Sequence, residues 1–252
     1  MGRPRLATMV DTTRARTRRS GRREVRPALA RDTIVDAAVD LIDQRGVEAL
    51  SMRNLGAVLG YEGMSLYRHV DGRDDLLEAV VDRLTDSLDL PNEPPPWEEY
   101  LTDVAAQVRK LALKHPRLFP LVATRHPAAP WLHPPLRSLR VVEHLLATLR
   151  AQGWTPEDAV HAYQAFSSFL LGYLLLEVAA QGQGTAPPEA RIDEGTSEDD
   201  AAPVTGRDRE VDVHDYPTIT ELRPVLERAD TTTEFNAGLR ALLRRLSQLA
   251  PG

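Results

Sequence analysis

The strongest constraint on the fold is a run of helical signals between residues 33 and 73. Apolar residues recur at i, i+3, i+4, i+7 and i+8 from Ile34 to Ile42, which predicts an amphipathic helix that ends at Gly46. A second helix is predicted to begin after Ser51, because a serine hydroxyl accepts a backbone N–H at that position. Its buried face is predicted to consist of Met52, Leu55, Val58 and Leu59.

A third helix completes this run. Gly60 permits a sharp turn, after which a helix of about two turns is predicted to start at Glu62. Leu66 and Val70 lie four positions apart and are expected to point inward, which leaves polar and aromatic side chains outside. A short helix with an outward polar face, supported by two others, suits the major groove of DNA. The run therefore predicts a helix-turn-helix.

These residues resemble the N-terminal domain of the tetracycline-repressor-like (TetR) family of bacterial transcriptional regulators. The matching motifs are Ser51-Met52-Arg53-x-Leu55, Leu59-Gly60, Leu66-Tyr67-x-His69-Val70, and Arg73 ahead of Leu76-Leu77. Gly56 departs from the family pattern, which usually has alanine there, and is expected to loosen the second helix by up to ~1 kcal/mol. A small helical packing module with chance spacing is the alternative.

Side-chain chemistry and the resemblance together imply a DNA-reading face. Arg53 is expected to donate to guanine, Met64 to contact a thymine methyl group, and other polar residues to bind phosphates. The alternatives are a packing role for Tyr67 and a helix-end cap for His69. The predicted DNA-binding residues are Ser51, Arg53, Glu62, Gly63, Met64, Ser65, Tyr67, Arg68, His69 and Arg73.

The net charge is divided unevenly along the chain. The whole chain carries −6, but residues 1–26 hold nine arginines against Asp11 and Glu24, which leaves −13 for the remainder. This arm is expected to be disordered and to attract phosphates or enter the minor groove. A solubilising tail is the alternative. The arm lacks the apolar region of a signal peptide and the chain has no cysteine, so a cytoplasmic protein without disulfides is expected.

Helical patterns continue to the end of the chain, and no alternating strand pattern competes with them. We predict an all-α fold with an N-terminal three-helix helix-turn-helix DNA-binding domain, joined to a helical-bundle domain for ligand binding and dimerisation. The predicted helices of the second part are one from Trp97 that His115-Pro116 stops, 116 to about 123, 136–152, 155 to about 181, one after Tyr216-Pro217 that Pro224 kinks or starts, and a last one capped by Thr231–Thr233. The predicted divisions are a disordered arm at 1–26, the DNA-binding domain at 27–73, a connecting helix at 74–90, the C-terminal domain at 97–252, and within it a disordered linker at about 182–214.

The helix predicted from Thr155 is unusually apolar. Eighteen residues between Asp158 and Glu177 carry no formal charge, so a membrane span is one interpretation. His161 and Gln164 lie within the run and no basic residue flanks it, which disfavours a span. We expect this helix to be buried between its own domain and a second subunit.

Two motifs extend the resemblance to the tetracycline-repressor branch of the family. They are Gly153-Trp154-Thr155-x-x-Asp158-Ala159 and Phe235-x-x-Gly238-Leu239-x-x-Leu242-Leu243. The resemblance implies a homodimer with a four-helix interface. Two recognition helices ~34–36 Å apart would then read a pseudo-palindromic double-stranded DNA operator.

The C-terminal helices are expected to enclose a ligand cavity. Ordinary core packing is the alternative for each aromatic candidate. The predicted ligand-binding residues are Tyr100, Phe119, Leu121, Trp131, Val142, Tyr163, Phe166 and Tyr173, with polar possibilities in His115, Arg125, His144 and His161.

Metal and cofactor chemistry is not expected. Thr124-Arg125 is similar to a pair in tetracycline-binding members, but Leu121 stands where their metal-ligating histidine would be, which argues against tetracycline–magnesium. His126 and His133 lack carboxylates at ligand spacing, so neither a metal nor a cofactor is predicted.

The predicted function is that of a DNA-binding transcriptional regulator, most simply a homodimeric repressor released from its operator by a small-molecule effector of unknown identity. An effector-independent or architectural DNA-binding protein is the alternative. The sequence has no nucleophile–base arrangement, phosphate-cradling glycine loop or paired carboxylates on one helical face, so we do not expect an enzyme.

Overall fold

The computed structural model describes residues 29–180, 215–228 and 230–251, and all regular structure within these stretches is helical. This confirms the predicted all-α fold, whereas the predicted arm and the linker at 182–214 lie outside the described residues. The helices are α1 (Arg31–Arg45), α2 (Met52–Leu59), α3 (Gly63–Leu66), α4 (Arg73–Thr85), α5 (Trp97–Lys114), α6 (Phe119–Val122), α7 (Leu139–Ala151), α8 (Pro156–Ala180), α9 (Pro217–Leu226) and α10 (Thr231–Leu246), with a single 3₁₀ turn at Val47–Ala49.

The first two helices begin and end as their local signals predict. Gly46 has φ 85° and donates its N–H to Ile42, which stops α1. The Ser51 hydroxyl accepts the backbone N–H of Asn54 at 3.1 Å and caps α2. The predicted buried face of α2 is wrong at Val58, which is 55% exposed. Its buried stripe is centred on Leu55 and Gly56, and at about 100° per residue Val58 falls outside that stripe.

α2 and α3 touch through their backbones. A Cβ atom added to Gly56 would lie 2.7 Å from the carbonyl oxygen of Tyr61 and 2.9 Å from the nitrogen of Gly63. A Cβ atom added to Gly63 would lie 2.9 Å from the carbonyl oxygen of Met52. Gly56 therefore has a packing role that the helix-propensity argument missed, since a side chain here would push the two helices apart.

We expect Gly56→Val to lower the free energy of unfolding of the N-terminal helices by ~1–3 kcal/mol, because overpacking against backbone atoms cannot be relieved by a side-chain rotation. Ala57→Val adds similar bulk at the adjacent, exposed position and serves as the matched control. Chemical denaturation followed by circular dichroism measures both variants. Equal stability of the two variants would contradict the close approach of α2 and α3.

α3 is shorter than predicted. It covers Gly63–Leu66 rather than two turns from Glu62, and the chain continues in hydrogen-bonded turns to residue 69. Leu66 and Val70 are both buried, as predicted. The helix ends early because the chain must reverse at Gly72, which has φ 118° and precedes α4.

α8 forms the centre of the C-terminal half. It packs against α5, α7 and α10, and its buried positions include Phe166, Leu170 and Leu174. By composition it is the one described helix long and apolar enough to cross a membrane, with a mean hydropathy of 1.3 over 18 residues. Its three helical neighbours bury part of this apolar surface, while Val160 and Leu176 stay exposed. Burial of the remainder against a second subunit remains a prediction.

The ends of the C-terminal helices differ from prediction by a few residues. α6 and α7 are shorter than the predicted ranges. The segment between them is irregular, and the backbone N–H of Arg137 donates to the carbonyl of Val122, the last residue of α6. The cap of the last helix was predicted one residue too late. Asp230 accepts the N–H of Thr232 at 3.1 Å and the hydroxyl of Thr233 at 2.6 Å. Aspartate is preferred over threonine at the N-cap of a helix, so Asp230 rather than Thr231 takes the position.

An ion pair joins the helices around α8. The Arg109 guanidinium on α5 donates to both carboxylate oxygens of Glu177 on α8, at 2.6 and 3.1 Å. It also donates to the hydroxyl of Thr232 at 3.1 Å and lies 5.2 Å from the ring centre of Phe235 on α10. The side chains of Arg109 and Glu177 are only 14% and 6% exposed, so the pair is largely removed from water.

Candidate nucleic-acid interface and ligand cavity

The outward face predicted for α2 and α3 is exposed in the structure. Met64 is 76% and Tyr67 47% exposed, and the side chains of Arg53, Glu62 and Arg68 are also open to solvent. They project from two short helices that pack against each other, and α2 also packs against α1, which in turn packs against α4. The arrangement offers apolar, aromatic and cationic groups to a partner outside the chain.

The remaining predicted DNA-binding residues lie at the edges of this face. Ser51 accepts a backbone N–H and keeps its own hydroxyl proton for an outside acceptor. Ser65 differs, because its hydroxyl donates to the carbonyl of Glu62 at 2.6 Å. Gly63 packs against α2, and His69 is half-buried. Arg73, half-buried, reaches the carbonyl of Val47 at 3.5 Å.

A second ion pair fixes this face on its support. Arg31 of α1 donates to both carboxylate oxygens of Asp75, at 2.7 and 2.6 Å, and to the carbonyl of His69 at 3.1 Å. The hydrogen bond from Arg31 holds the pKa of Asp75 below its ordinary value. Because Asp75 also accepts the N–H of Asp71, one carboxylate ties α1 to the turn between α3 and α4.

A small cavity lies between α4, α5, α7 and α8. The volume of this cavity is about 40 Å³. The wall is almost entirely apolar, and its hydroxyl groups belong to Thr85, Ser138, Tyr163 and Ser167. Burial raises the pKa of Tyr163 to about 12, so this phenol stays neutral at physiological pH.

Three of the predicted ligand-binding residues, Val142, Tyr163 and Phe166, line this cavity. The aliphatic part of the wall was not predicted, because valine and leucine stripes on helices carry no signal that separates a cavity wall from a solid core. These unpredicted residues are Leu88, Val104, Val108, Leu111, Val122, Leu136, Val141, Leu145, Leu170 and Leu171.

The other five candidates lie away from the cavity wall. Trp131 is 74% exposed in the loop before α7. Phe119 and Leu121 are buried in α6. The hydroxyl of Tyr100 lies 2.7 Å from Nδ1 of His144, and burial raises the pKa of this tyrosine to about 12.

Tyr173, the fifth, donates to the carbonyl of Thr231 at 2.7 Å and packs against Phe235. Its hydroxyl therefore joins α8 to the start of α10 rather than facing the cavity.

Two histidines connect the C-terminal helices to the N-terminal ones. His115, at the end of α5, lies 2.6 Å from the carboxylate of Asp43 on α1. His126 lies 2.9 Å from the carboxylate of Glu78 on α4. The other polar candidates are placed differently. His144 contacts the carbonyl of Pro91, and Arg125 and His161 are exposed.

The cavity wall is also continuous with α4. The hydroxyls of Thr85, the last residue of α4, and Ser138 lie 3.3 Å apart. Next to Ser138, the buried Arg137 donates to the carbonyl of Asp74 at 3.3 Å, near the start of α4. Arg140 donates to the carbonyl of Thr85 at 2.8 Å. These contacts join the cavity wall to both ends of α4, which packs against α1.

Within the described stretches, no group of three or more His, Cys, Asp or Glu side chains is placed to hold a metal ion. The sites that remain to be explained are therefore an exposed face and an apolar cavity.

Two family models match this chain. Residues 34–80 match the model described as bacterial regulatory proteins, tetR family, and residues 90–249 match the tetracyclin repressor-like C-terminal domain. The chain belongs to the TetR family. A similar TetR-type protein is an HTH-type transcriptional regulator of Saccharopolyspora erythraea, 30% identical over 89% of this chain and 87% of its own length.

Other TetR relatives bear on both halves of the chain. The class D tetracycline repressor of Escherichia coli is 28% identical over 86% of this chain and 88% of its own. The crystal structure of the TetR family protein ActR of Streptomyces coelicolor in complex with actinorhodin matches with a TM-score of 0.62 and 27% identity. That match covers 88% of this chain and 97% of ActR.

Membership in the TetR family assigns the broad function. TetR-family proteins are transcriptional regulators rather than enzymes, and they bind DNA and small-molecule effectors. The exposed face on α2 and α3 lies within the N-terminal match, residues 34–80. The cavity lies within the C-terminal match, residues 90–249, except for Thr85 and Leu88, which fall between the two matches.

Proposed function

We propose that this chain is a homodimeric cytoplasmic repressor, which a small-molecule effector releases from a pseudo-palindromic operator. The observation that carries the proposal is the cavity wall shared with α4 through Thr85 and Ser138. We also propose the functional division predicted above, with a DNA-binding domain at 27–73, a connecting segment at 74–90 and the ligand-binding and dimerisation domain at 97–252. The helix of the connecting segment is shorter than predicted, because α4 ends at Thr85.

The DNA-reading role falls to the exposed face of α2 and α3. In this proposal Arg53 and Met64 contact base edges, and Tyr67 and Arg68 contact the phosphates beside them, which their exposure supports. Ser51 donates its hydroxyl proton to a phosphate. The arginines of residues 1–26 add salt-dependent affinity without reading sequence. Ser65 and Gly63 also support the recognition helix, since the Ser65 hydroxyl donates to the carbonyl of Glu62 and Gly63 packs against α2.

A homodimer is supported by an exposed stripe on α8 that follows an i, i+4 row and has an apolar residue at each end. These are Val160, which is 45% exposed, and Leu176, which is 74% exposed, and Ser168 and Gly172 lie between them in the row. A second copy packed on this stripe would bury it and set two recognition helices at a fixed separation. Two half-sites ~34–36 Å apart are then read together, which gives a small module its specificity.

Release follows from the size of the cavity. Sites for drug-sized ligands typically have volumes of ~300–1,000 Å³, far above the volume of this cavity. A bound effector must therefore separate α4 from α7 and α8. The effector then binds the separated arrangement better than the closed one, which is the condition for shifting the equilibrium. The same small volume is the observation that favours the second candidate, an effector-independent DNA-binding regulator.

The deciding experiment is a binding isotherm of the purified protein on DNA from around its own gene, at two salt concentrations. The repressor is expected to bind a short palindrome saturably, in the nanomolar range, with two subunits per site. Weak binding that falls steeply with salt and shows no preferred sequence would support an architectural protein instead.

A further inference from the structure

Almost all of the basic residues in this chain are arginines, and lysine is rare. Of its 31 lysines and arginines, only Lys110 and Lys114 are lysines. Both lie on α5, four residues apart on one face, and both are exposed. A like-charged pair at this spacing destabilises a helix, and α5 has no acidic residue three or four positions from either lysine.

These two ammonium groups line an open groove at the end of α4. The volume of the groove is about 240 Å³. Its wall consists of Ser87, Leu88, Gln107, Lys110, Leu111 and Lys114. No carboxylate belongs to this wall, and within the described part of the chain neither lysine forms an ion pair. The groove is therefore a cationic site without its counter-ion.

The groove adjoins the apolar cavity. Leu88 and Leu111 line both, and each is only 7% exposed, so these two side chains form the partition between them. Rotation of the two leucines joins a hydrated, cationic mouth to a dry, apolar interior. One connected site then has a positive charge at the surface and hydrocarbon within.

We propose that the effector is an amphipathic organic acid, whose carboxylate pairs with Lys110 and Lys114 while its apolar body passes Leu88 and Leu111 into the cavity. This inference rests on the proposed function. The chain is net negative, so an anionic ligand needs a local positive site to bind, and the lysine pair supplies one. Ser87 and Leu88 lie two and three residues beyond the end of α4, so a molecule held between them and α5 lies beside the end of that helix.

The two lysines also provide a selective probe. Reductive ¹³C-methylation labels Lys110 and Lys114 as the only ε-amines and retains their charge. Naphthalene-2-acetate and decanoate are titrated into the labelled protein, each beside its neutral amide. Both lysine signals are expected to shift with the acids, which should bind at least tenfold more tightly than the amides.

The double variant Lys110→Gln/Lys114→Gln is expected to remove this preference while leaving the affinity for the amides unchanged. Arg150→Gln/Arg228→Gln, which removes two exposed cations outside the groove, is the charge-matched control and should keep the preference. Equal affinity for acid and amide, no lysine shift with either acid, or an acid preference that survives in the lysine variant would each overturn the proposal.

Operator binding by the same preparations separates this inference from the function on which it rests. Unmodified protein that binds its operator but shows no acid preference refutes the effector class alone. Protein without sequence-specific DNA binding refutes the proposed repressor function, whatever the lysine signals show.

Discussion

Replacing Tyr67 with alanine is expected to abolish operator binding at working concentrations, with an affinity loss of at least about a hundredfold, and to leave a folded dimer. The side chain is 47% exposed beside α3, so little core packing is lost with it. A hydrogen bond to a charged group contributes ~1.5–3 kcal/mol, and a dimer would lose two such bonds to phosphate. Fluorescence anisotropy with an operator duplex measures the affinity, and sedimentation measures the dimer.

Tyr216→Ala provides the matched control for this prediction. Tyr216 precedes α9 and lies outside the predicted DNA-binding face. Its side chain is 49% exposed, close to the exposure of Tyr67, so the two variants lose the same group from similar surroundings. The control is expected to bind the operator as the parent protein does. Loss of the dimer or of the thermal transition in Tyr67→Ala would show that Tyr67 is a packing residue, which is the alternative considered from the sequence.

The second large effect is expected at the buried ion pair between α5 and α8. Arg109→Leu should lower the free energy of unfolding by ~3–5 kcal/mol, because it leaves the Glu177 carboxylate buried without a counter-charge. Glu177 is only 6% exposed and has its two hydrogen bonds to Arg109. Urea denaturation at neutral pH and fixed protein concentration measures the change.

The double variant Arg109→Leu/Glu177→Leu tests the cause of that loss. Removing both charges together leaves no unpaired carboxylate, so most of the lost stability should return. If the double variant is as unstable as Arg109→Leu, the contacts of the guanidinium with Thr232 and Phe235, rather than charge burial, hold α5, α8 and α10 together.

Features encoded by neighbouring residues could be predicted from the sequence. The Ser51 cap, the stop at Gly46 and the inward positions of Leu66 and Val70 depend on spacing within one or two helical turns, and the structure has all three. The TetR resemblance was equally local, because the motif from Ser51 to Arg73 has fixed spacings, and the family models confirm it.

Features that depend on how helices meet could not be predicted in this way. The aromatic ring of Trp131 predicts a place in the cavity wall, but the loop that carries it leaves the side chain exposed. Val58 has the spacing of a buried residue, yet the close approach at Gly56 turns the packed face of α2 away from it. The cavity wall is mostly valine and leucine, which a sequence does not distinguish from solid core. The DNA-contacting roles of Arg53 and its neighbours remain predictions.

The order in which the helices are synthesised gives the apolar α8 a further significance. α8 leaves the ribosome well before α10, whose Phe235 and Leu239 are buried in the finished fold. N-terminal segments fold first during translation, and apolar surface that waits for its partner is prone to aggregation. A nascent chain stalled between residues 180 and 231 should therefore be a good chaperone substrate, and completion of α10 should release it.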